Sequence, residues 1–180
     1  MARLKDPRPD LDAEGQAIYD KLAGPRHGLS GMYLTLMHHP QLADRVATLG
    51  TFLRFQGTIR GDLRELAMLA TARGLKAPFI WEKHLKPARE EGLPEDVIQQ
   101  VLTGDLATAE MDDLYKAVWQ VARHVVTEEN LPDKLQSFLV EKLGEKGTVE
   151  VTAVCGFYRF IASVVFSFDV PLPDDGPPPF

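Results

Sequence analysis

Apolar residues recur along the chain at helical spacing, and proline and glycine fall mostly where one periodic segment ends and the next begins. This pattern predicts a short helical piece ending at Met37, and no strand alternation or hairpin signal competes with the helices. We therefore predict an all-α fold of about eight helices. The longer helices are expected at about 12–23, 40–55, 61–73, 78–92, 93–102, 111–125, 135–143 and 148–168.

Two of these helices are predicted to form the core. Residues 66–72 are apolar nearly all round, which is typical of a buried, central helix. The last helix is the most hydrophobic, but it carries Glu150 and Arg159, which are costly in lipid, so we expect a buried core helix rather than a membrane span. Pro87 lies inside the helix predicted at 78–92 and should bend it or free the carbonyl of Lys83.

Length and composition fit one soluble domain. The 180 residues suit a single domain over 1–180, with 1–10 and 174–180 as surface tails. Hydrophobic residues make up 44% and charged residues 26%, which is ordinary for a globular protein. The net charge of −6, without a basic patch, argues against nucleic-acid binding. The first residues lack the apolar stretch of a signal peptide, so we expect a cytoplasmic protein without a membrane partner.

The single cysteine limits the possible chemistry. Cys155 cannot form an internal disulfide, a Cys-x-x-Cys pair or a thiolate zinc cage, and its apolar helix predicts an inert core thiol. His38 and His39 precede Pro40 and favour a capping or surface role over a metal site. Ser30 lacks the GxSxG pattern of a nucleophile elbow. No metal or nucleotide motif is present, so no cofactor is expected.

Glu65 and His84 are the strongest candidates for chemistry. Glu65 shares a helix face with Met68, Leu69 and Ala72, where a carboxylate is partly removed from water and suited to acid–base work. Its structural alternative is an ion pair with Arg64 or Arg73. Histidine is the usual proton carrier near neutral pH, whereas the structural alternative for His84 is a core residue bonded to a carbonyl.

Three other residues are candidates for a pocket. Trp81 and Tyr158 are predicted in the core or in a pocket wall. Arg159 is a cation in an otherwise apolar helix and needs an anionic partner. That partner is expected to be Glu65, Glu150 or the carboxylate of a bound substrate.

Three segments together resemble the carboxymuconolactone decarboxylase family, within the AhpD-like superfamily: residues 63–73, 77–84 and 88–93. The flanking segments at 38–43 and 147–158 are similar to its long members, so the resemblance covers most of the chain. It implies a helical fold that assembles as a homo-oligomer, commonly a trimer or a hexamer. It also implies that Glu65 and His84 act together, since their separation of 19 positions matches the family's glutamate and histidine.

The chain departs from the family pattern at two positions. The peroxidase members carry a cysteine pair where this chain has Ala77 and Ile80, so dithiol peroxidase activity is not expected. The decarboxylase members also lack the pair and keep the histidine that matches His84. They tend to have an acidic residue near Ile80, whose absence leaves the lactone substrate open.

The resemblance favours a cofactor-independent lyase that acts on a small organic acid or lactone. His84 would move the proton, Glu65 would orient His84, Trp81 and Tyr158 would shape the pocket, and Arg159 would hold a substrate carboxylate. A second hypothesis is a non-catalytic relative that binds a small ligand or serves in assembly. The third, least favoured, is a peroxidase that uses an external thiol.

Overall fold

Helices make up the whole regular structure of the described residues. The computed structural model describes residues 4–26, 28–172 and 178–180, and this part of the chain contains eight α-helices, two short 3-10 turns and no strand. The prediction of an all-α fold of about eight helices is thus confirmed. The helices are α1 (Ala13–Ala23), α2 (Gly31–Leu36), α3 (Pro40–Phe55), α4 (Gly61–Gly74), α5 (Pro78–Glu90), α6 (Glu95–Thr103), α7 (Asp113–Thr127) and α8 (Asp133–Ser167).

Local sequence signals explain where α1, α3 and α5 begin. The Asp12 carboxylate accepts a hydrogen bond from the Gly15 backbone N–H at the start of α1, at 2.7 Å. Pro40 and Pro78 occupy the first turns of α3 and α5, where the missing N–H costs nothing. Pro87 lies inside α5, which continues through it to Glu90.

The C-terminal segment α8 consists of two helices that meet at a kink, which agrees with the prediction of two helices there. The segments expected at 135–143 and 148–168 join in α8, in which Gly144 alone has non-helical backbone angles, with φ of 70°. Glycine adopts this left-handed region without steric cost, so the chain reverses its angles at one residue and resumes the helix at once. Both predicted helices are therefore present, and the second begins directly after Gly144 rather than at 148.

The core lies around α4, as predicted from its uniformly apolar sequence. Its residues Leu66, Ala67, Met68 and Leu69 are completely buried, and α4 packs against α5, α6, α7 and α8. α8 is long and apolar enough to cross a membrane by length and composition, and half of its most apolar stretch is buried within the fold. This burial agrees with the predicted core helix.

Two polar contacts fasten the start of α4. Glu150 of α8 accepts hydrogen bonds from the backbone N–H groups of Thr58 and Ile59 and from the Thr58 hydroxyl. Tyr115 of α7 donates its hydroxyl proton to Asp62, with the two oxygens 2.8 Å apart. Together they attach the first turn of the central helix to two neighbours.

The terminal segments differ in how far they match the predicted surface tails. Residues 4–10 are exposed except for Pro7, which is buried. At the other end the Phe180 ring packs edge-on against Trp81, with ring centroids 5.6 Å apart, so the tail prediction was wrong for this residue. An edge-to-face contact between aromatic rings stabilises the buried position of the Phe180 ring relative to exposure to water. Residues 1–3, 173–177 and His27 lie outside the described residues.

Candidate active site

α4 and α5 bring Glu65 and His84 into direct contact. The two helices are consecutive and packed together, and a three-residue connection joins them. The Nδ1 atom of His84 lies 2.8 Å from the Oε2 atom of Glu65. Both residues are buried, with 2% of Glu65 and 6% of His84 exposed. The expected convergence of these side chains is therefore present, and it is a hydrogen bond shielded from water.

The surroundings favour a neutral imidazole. Burial lowers the pKa of His84 below its ordinary value, the Glu65 carboxylate acts in the opposite direction, and the charges of Arg54 and Arg64 lower it further. The carboxylate of Glu65 accepts the hydrogen bond, so the single ring proton of neutral His84 sits on Nδ1. Nε2 then carries a lone pair, and no described residue makes a hydrogen bond to it.

A cavity of about 290 Å³ lies beside His84. We call it the His84 cavity. Its wall combines aromatic and aliphatic side chains with a few polar groups, as small-molecule sites usually do. Its lining residues are Gly28, Leu29, Ser30, Met32, Tyr33, Gly50, Arg54, Phe79, Ile80, Lys83, His84, Phe157, Tyr158 and Ile161.

Tyr158 lines the cavity and supports the His84 ring. The two rings meet edge to face, with centroids 4.8 Å apart and planes at 88°. Such contacts restrict ring rotation and contribute stability beyond simple burial. Tyr158 is thus located in a pocket wall, one of the two positions that the sequence left open for it.

The structural alternative for Glu65 is also partly realised. The Nε atom of Arg64 lies 3.9 Å from Glu65 Oε1, while the same guanidinium forms a closer ion pair with Glu91, at 2.9 Å. Arg64 therefore divides its charge between two carboxylates, and the direct hydrogen bond of Glu65 goes to His84.

Trp81 is a correction to the predicted pocket. It is 1% exposed and packs against Phe180, and it does not line the His84 cavity. The reason is helical geometry: Ile80 and His84 are four positions apart and share the cavity face of α5. Trp81 is rotated by about 100° from Ile80 and points into the core.

Arg159 is the second correction. Its guanidinium donates to the Val125 carbonyl, at 2.8 Å, and forms an ion pair with Glu128 at the end of α7. It does not line the cavity, and its partner is none of the three anions expected from the sequence. A cation at this position interacts favourably with the C-terminal end of α7.

The remaining histidine and cysteine interpretations agree with the contacts. His39 caps α3 by accepting from the Leu42 N–H, and His38 Nε2 contacts the Lys5 carbonyl at 3.0 Å. Cys155 is completely buried, and burial raises the pKa of its thiol to about 12. Cys155 is therefore a core thiol that does not line the cavity.

Sequence reasoning missed two cavity cations, Arg54 and Lys83. Arg54 follows Gly50 by one helical turn on α3, and both line the cavity. A Cβ atom on Gly50 would lie 3.1 Å from the Phe157 ring and 3.3 Å from the Tyr33 hydroxyl. The sequence signal was Gly50 one helical turn before Arg54, since a residue without a side chain leaves space next to the charged group.

Part of the chain matches the model of a known protein family. Residues 40–124 match the model of the carboxymuconolactone decarboxylase family, a segment slightly shorter than half of the chain. Over these residues the chain is similar to the carboxymuconolactone decarboxylase family. The matched segment contains Glu65, His84 and Arg54, whereas Tyr158 and the rest of α8 lie outside it.

The similarity to solved structures covers nearly the whole fold. A structure described as an alkylhydroperoxidase AhpD core, an uncharacterized peroxidase-related protein from Ralstonia eutropha JMP134, has a TM-score of 0.77 at 15% identity. The match covers 97% of this chain and 93% of that one.

Two structures of the debrominase Bmp8 are similar as well. One is without ligand, and the other is a cysteine-to-alanine variant in complex with 2,3,4-tribromopyrrole. Each has a TM-score of 0.67 at 14% identity and covers 95% of this chain and 90% of its own. These likenesses show an AhpD-like fold. No curated protein matches the chain by sequence.

Proposed function

We propose that this protein is a cofactor-independent lyase that moves a proton on a small organic acid or lactone. The observation that carries the proposal is the buried hydrogen bond of 2.8 Å between Glu65 and His84 at the wall of a cavity. A histidine that is held by a carboxylate and faces a ligand-sized space is a typical acid–base arrangement.

The chemistry follows from the protonation of His84. Its Nε2 atom accepts a proton from the bound acid, and cleavage of the bond to the carboxylate releases CO2. The electron pair of that bond stays on the neighbouring carbon as an enolate. The imidazolium, stabilised by Glu65, then returns the proton to this carbon, so proton and electrons balance without an oxidant or reductant.

The cavity supports this proposal over a purely structural or assembly role. A core filled around His84 would favour a structural or assembly role, whereas the described residues leave about 290 Å³ beside the ring. The peroxidase alternative, which would use an external thiol, has less support because Ala77 and Ile80 stand at the positions of the family's cysteine pair. Cys155 cannot replace that pair, since it is completely buried and burial raises the pKa of its thiol. The acid–base interpretation therefore has the most support.

The test is a screen of small lactones, β-keto acids and unsaturated acids in D2O. NMR follows deuterium incorporation at carbon, and a CO2 assay follows decarboxylation. We expect turnover of at least one compound that drops about 10²–10⁴-fold in His84→Asn. The matched control His38→Asn changes an exposed histidine in the same way and should keep wild-type turnover. Equal activity in wild type and His84→Asn would contradict the proposal.

A further inference from the structure

The His84 cavity has an unbalanced charge. Its described lining contains two cations, Arg54 and Lys83, and no aspartate or glutamate. This contrasts with the whole chain, which carries a net charge of −6. The carboxylate of Glu65 is 2% exposed and its hydrogen bond goes to the His84 ring, so Glu65 does not itself line the cavity.

Arg54 forms no ion pair with a carboxylate of the described residues. Its Nε atom is buried and makes no hydrogen bond within that part of the chain. Its guanidinium lies over the Phe55 ring, 4.8 Å from the centroid, a contact that fixes the plane of the group. A buried donor without an acceptor is costly, and the cost falls when an anion binds to it.

Arg54 lines the same cavity as His84 and Tyr158. Its charge lowers the pKa of His84, adding to the effect of burial. Burial raises the pKa of Tyr158, and the charge of Arg54 acts against that rise. An anion held by Arg54 would therefore lie beside both rings.

The rest of the wall defines the body of the ligand. Four aromatic residues, Tyr33, Phe79, Phe157 and Tyr158, line a space of about 290 Å³. Phe79 is held close to α2 because Gly31, with φ of 55°, leaves room for its ring; a Cβ atom there would lie 2.8 Å from Phe79. Aromatic walls around a space of this volume suit a compact, flat, apolar group.

We propose that Arg54 is the ligand-recognition residue of the His84 cavity, and that the ligand is a compact, planar carboxylate whose apolar body lies against the aromatic wall. Arg54 holds the carboxylate by charge-assisted hydrogen bonds, and Lys83 attracts the anion at the exposed rim. The identity of the site rests on the proposed function, but recognition by Arg54 is measured without turnover.

The experiment compares benzoate with its neutral isostere benzamide, using ligand-observed NMR titration of the full chain at low salt. We expect benzoate to bind about 10–100-fold more tightly than benzamide, the range for a charge-assisted hydrogen bond. Arg54→Gln should remove this preference, and Arg54→Lys should keep part of it. Arg45→Gln is the matched control, since Arg45 lies on α3, is exposed and bonds to the Gln41 carbonyl.

Each outcome decides the matter. Equal affinities in the wild type, no binding of either probe at millimolar concentration, or an unchanged preference in folded Arg54→Gln would overturn the inference. If Arg54→Gln does not fold, the folded Arg54→Lys variant decides through the preference that it keeps. Loss of turnover in His84→Asn with an intact benzoate preference would support both proposals. Intact turnover in His84→Asn with an Arg54-dependent preference would reject the lyase and keep the carboxylate site.

Discussion

At the scale of single residues, the central feature is that the two nitrogen atoms of His84 have different environments. Nδ1 is bonded to Glu65, whereas Nε2 has no hydrogen bond from the described residues and the ring lines the cavity. Because burial lowers the pKa of His84, the ring is neutral at pH 7 and can accept a proton at Nε2. Glu65 is a positioning residue, since it acts through His84.

Glu65→Gln tests that positioning role. Turnover of a substrate found in the screen should fall about 10²-fold, since an amide stabilises the imidazolium less than a carboxylate. Turnover of the wild type is lost as pH falls through the pKa of His84, which lies below its ordinary 6.5. Glu65 raises that pKa, so the variant's acid midpoint should move to lower pH. Glu90→Gln, at an exposed position on α5, is the control.

If Glu65 has only a structural role, the same variant should give a different result. It would lower the melting temperature and leave the acid midpoint of turnover where it is in the wild type. The effects of Glu65→Gln and His84→Asn should also be far from additive, because the pair acts as one unit. Additive kinetic losses would argue against the pair.

Cys155 should be chemically silent in the native state. It is completely buried and its pKa is raised to about 12, so little thiolate exists at pH 8. We expect iodoacetamide to leave Cys155 unlabelled in the folded protein and to label it in urea, as mass spectrometry would show. Native labelling at the rate seen in urea, or hydroperoxide turnover that disappears in Cys155→Ser, would contradict this expectation.

At the scale of helices, Glu150 links α8 to the segment before α4. Burial by itself raises the pKa of Glu150, but the hydrogen bonds from Thr58 and Ile59 lower it overall. Glu150→Gln should reduce the free energy of unfolding by about 1–3 kcal/mol at pH 7, since it weakens several bonds to a buried carboxylate. Denaturant titration measures this, with exposed Glu145→Gln on the same helix as control.

The pH dependence of that variant has a definite sign. A carboxyl whose native pKa is depressed stabilises the fold above its unfolded-state value of about 4.5 and loses this effect as pH falls. The difference between wild type and Glu150→Gln should therefore shrink below about pH 4.5. A difference that stays constant down to pH 3 would show that the carboxylate charge is not what stabilises the contact.

The helices were predictable because their signals are local, whereas part of the site was not. Apolar periodicity and proline positions located α3, α4 and α5, and the resemblance to the family, whose glutamate and histidine have the same separation, located the pair of Glu65 and His84. The direction of a side chain depends on its register within the helix and on what packs there. Trp81 follows Ile80 by one position, so it points to another side of α5 and packs against Phe180 instead of lining the cavity. Arg159 bonds to the Val125 carbonyl and the Glu128 carboxylate at the end of α7.

At the scale of the molecule, the exposed apolar side chains concern assembly. On α3, 49% of Leu49, 45% of Phe52 and 70% of Phe55 are exposed, and 49% of Phe166 on α8. We propose that the chain forms a homo-oligomer, commonly a trimer or a hexamer in this family, which would remove such surface from water. Light scattering at micromolar concentration should give a multiple of 20 kDa. A 20 kDa species alone would reject it.

The most direct test of the account is the protonation state of His84. The measurement is ¹⁵N NMR of the histidine-labelled protein across pH, with His84→Asn to assign the signals. We expect a neutral ring at pH 7 with the proton on Nδ1, an unprotonated Nε2 and a midpoint below the ordinary 6.5. An imidazolium at pH 7, or a neutral ring with the proton on Nε2, would contradict a base that is held by Glu65 and faces the cavity.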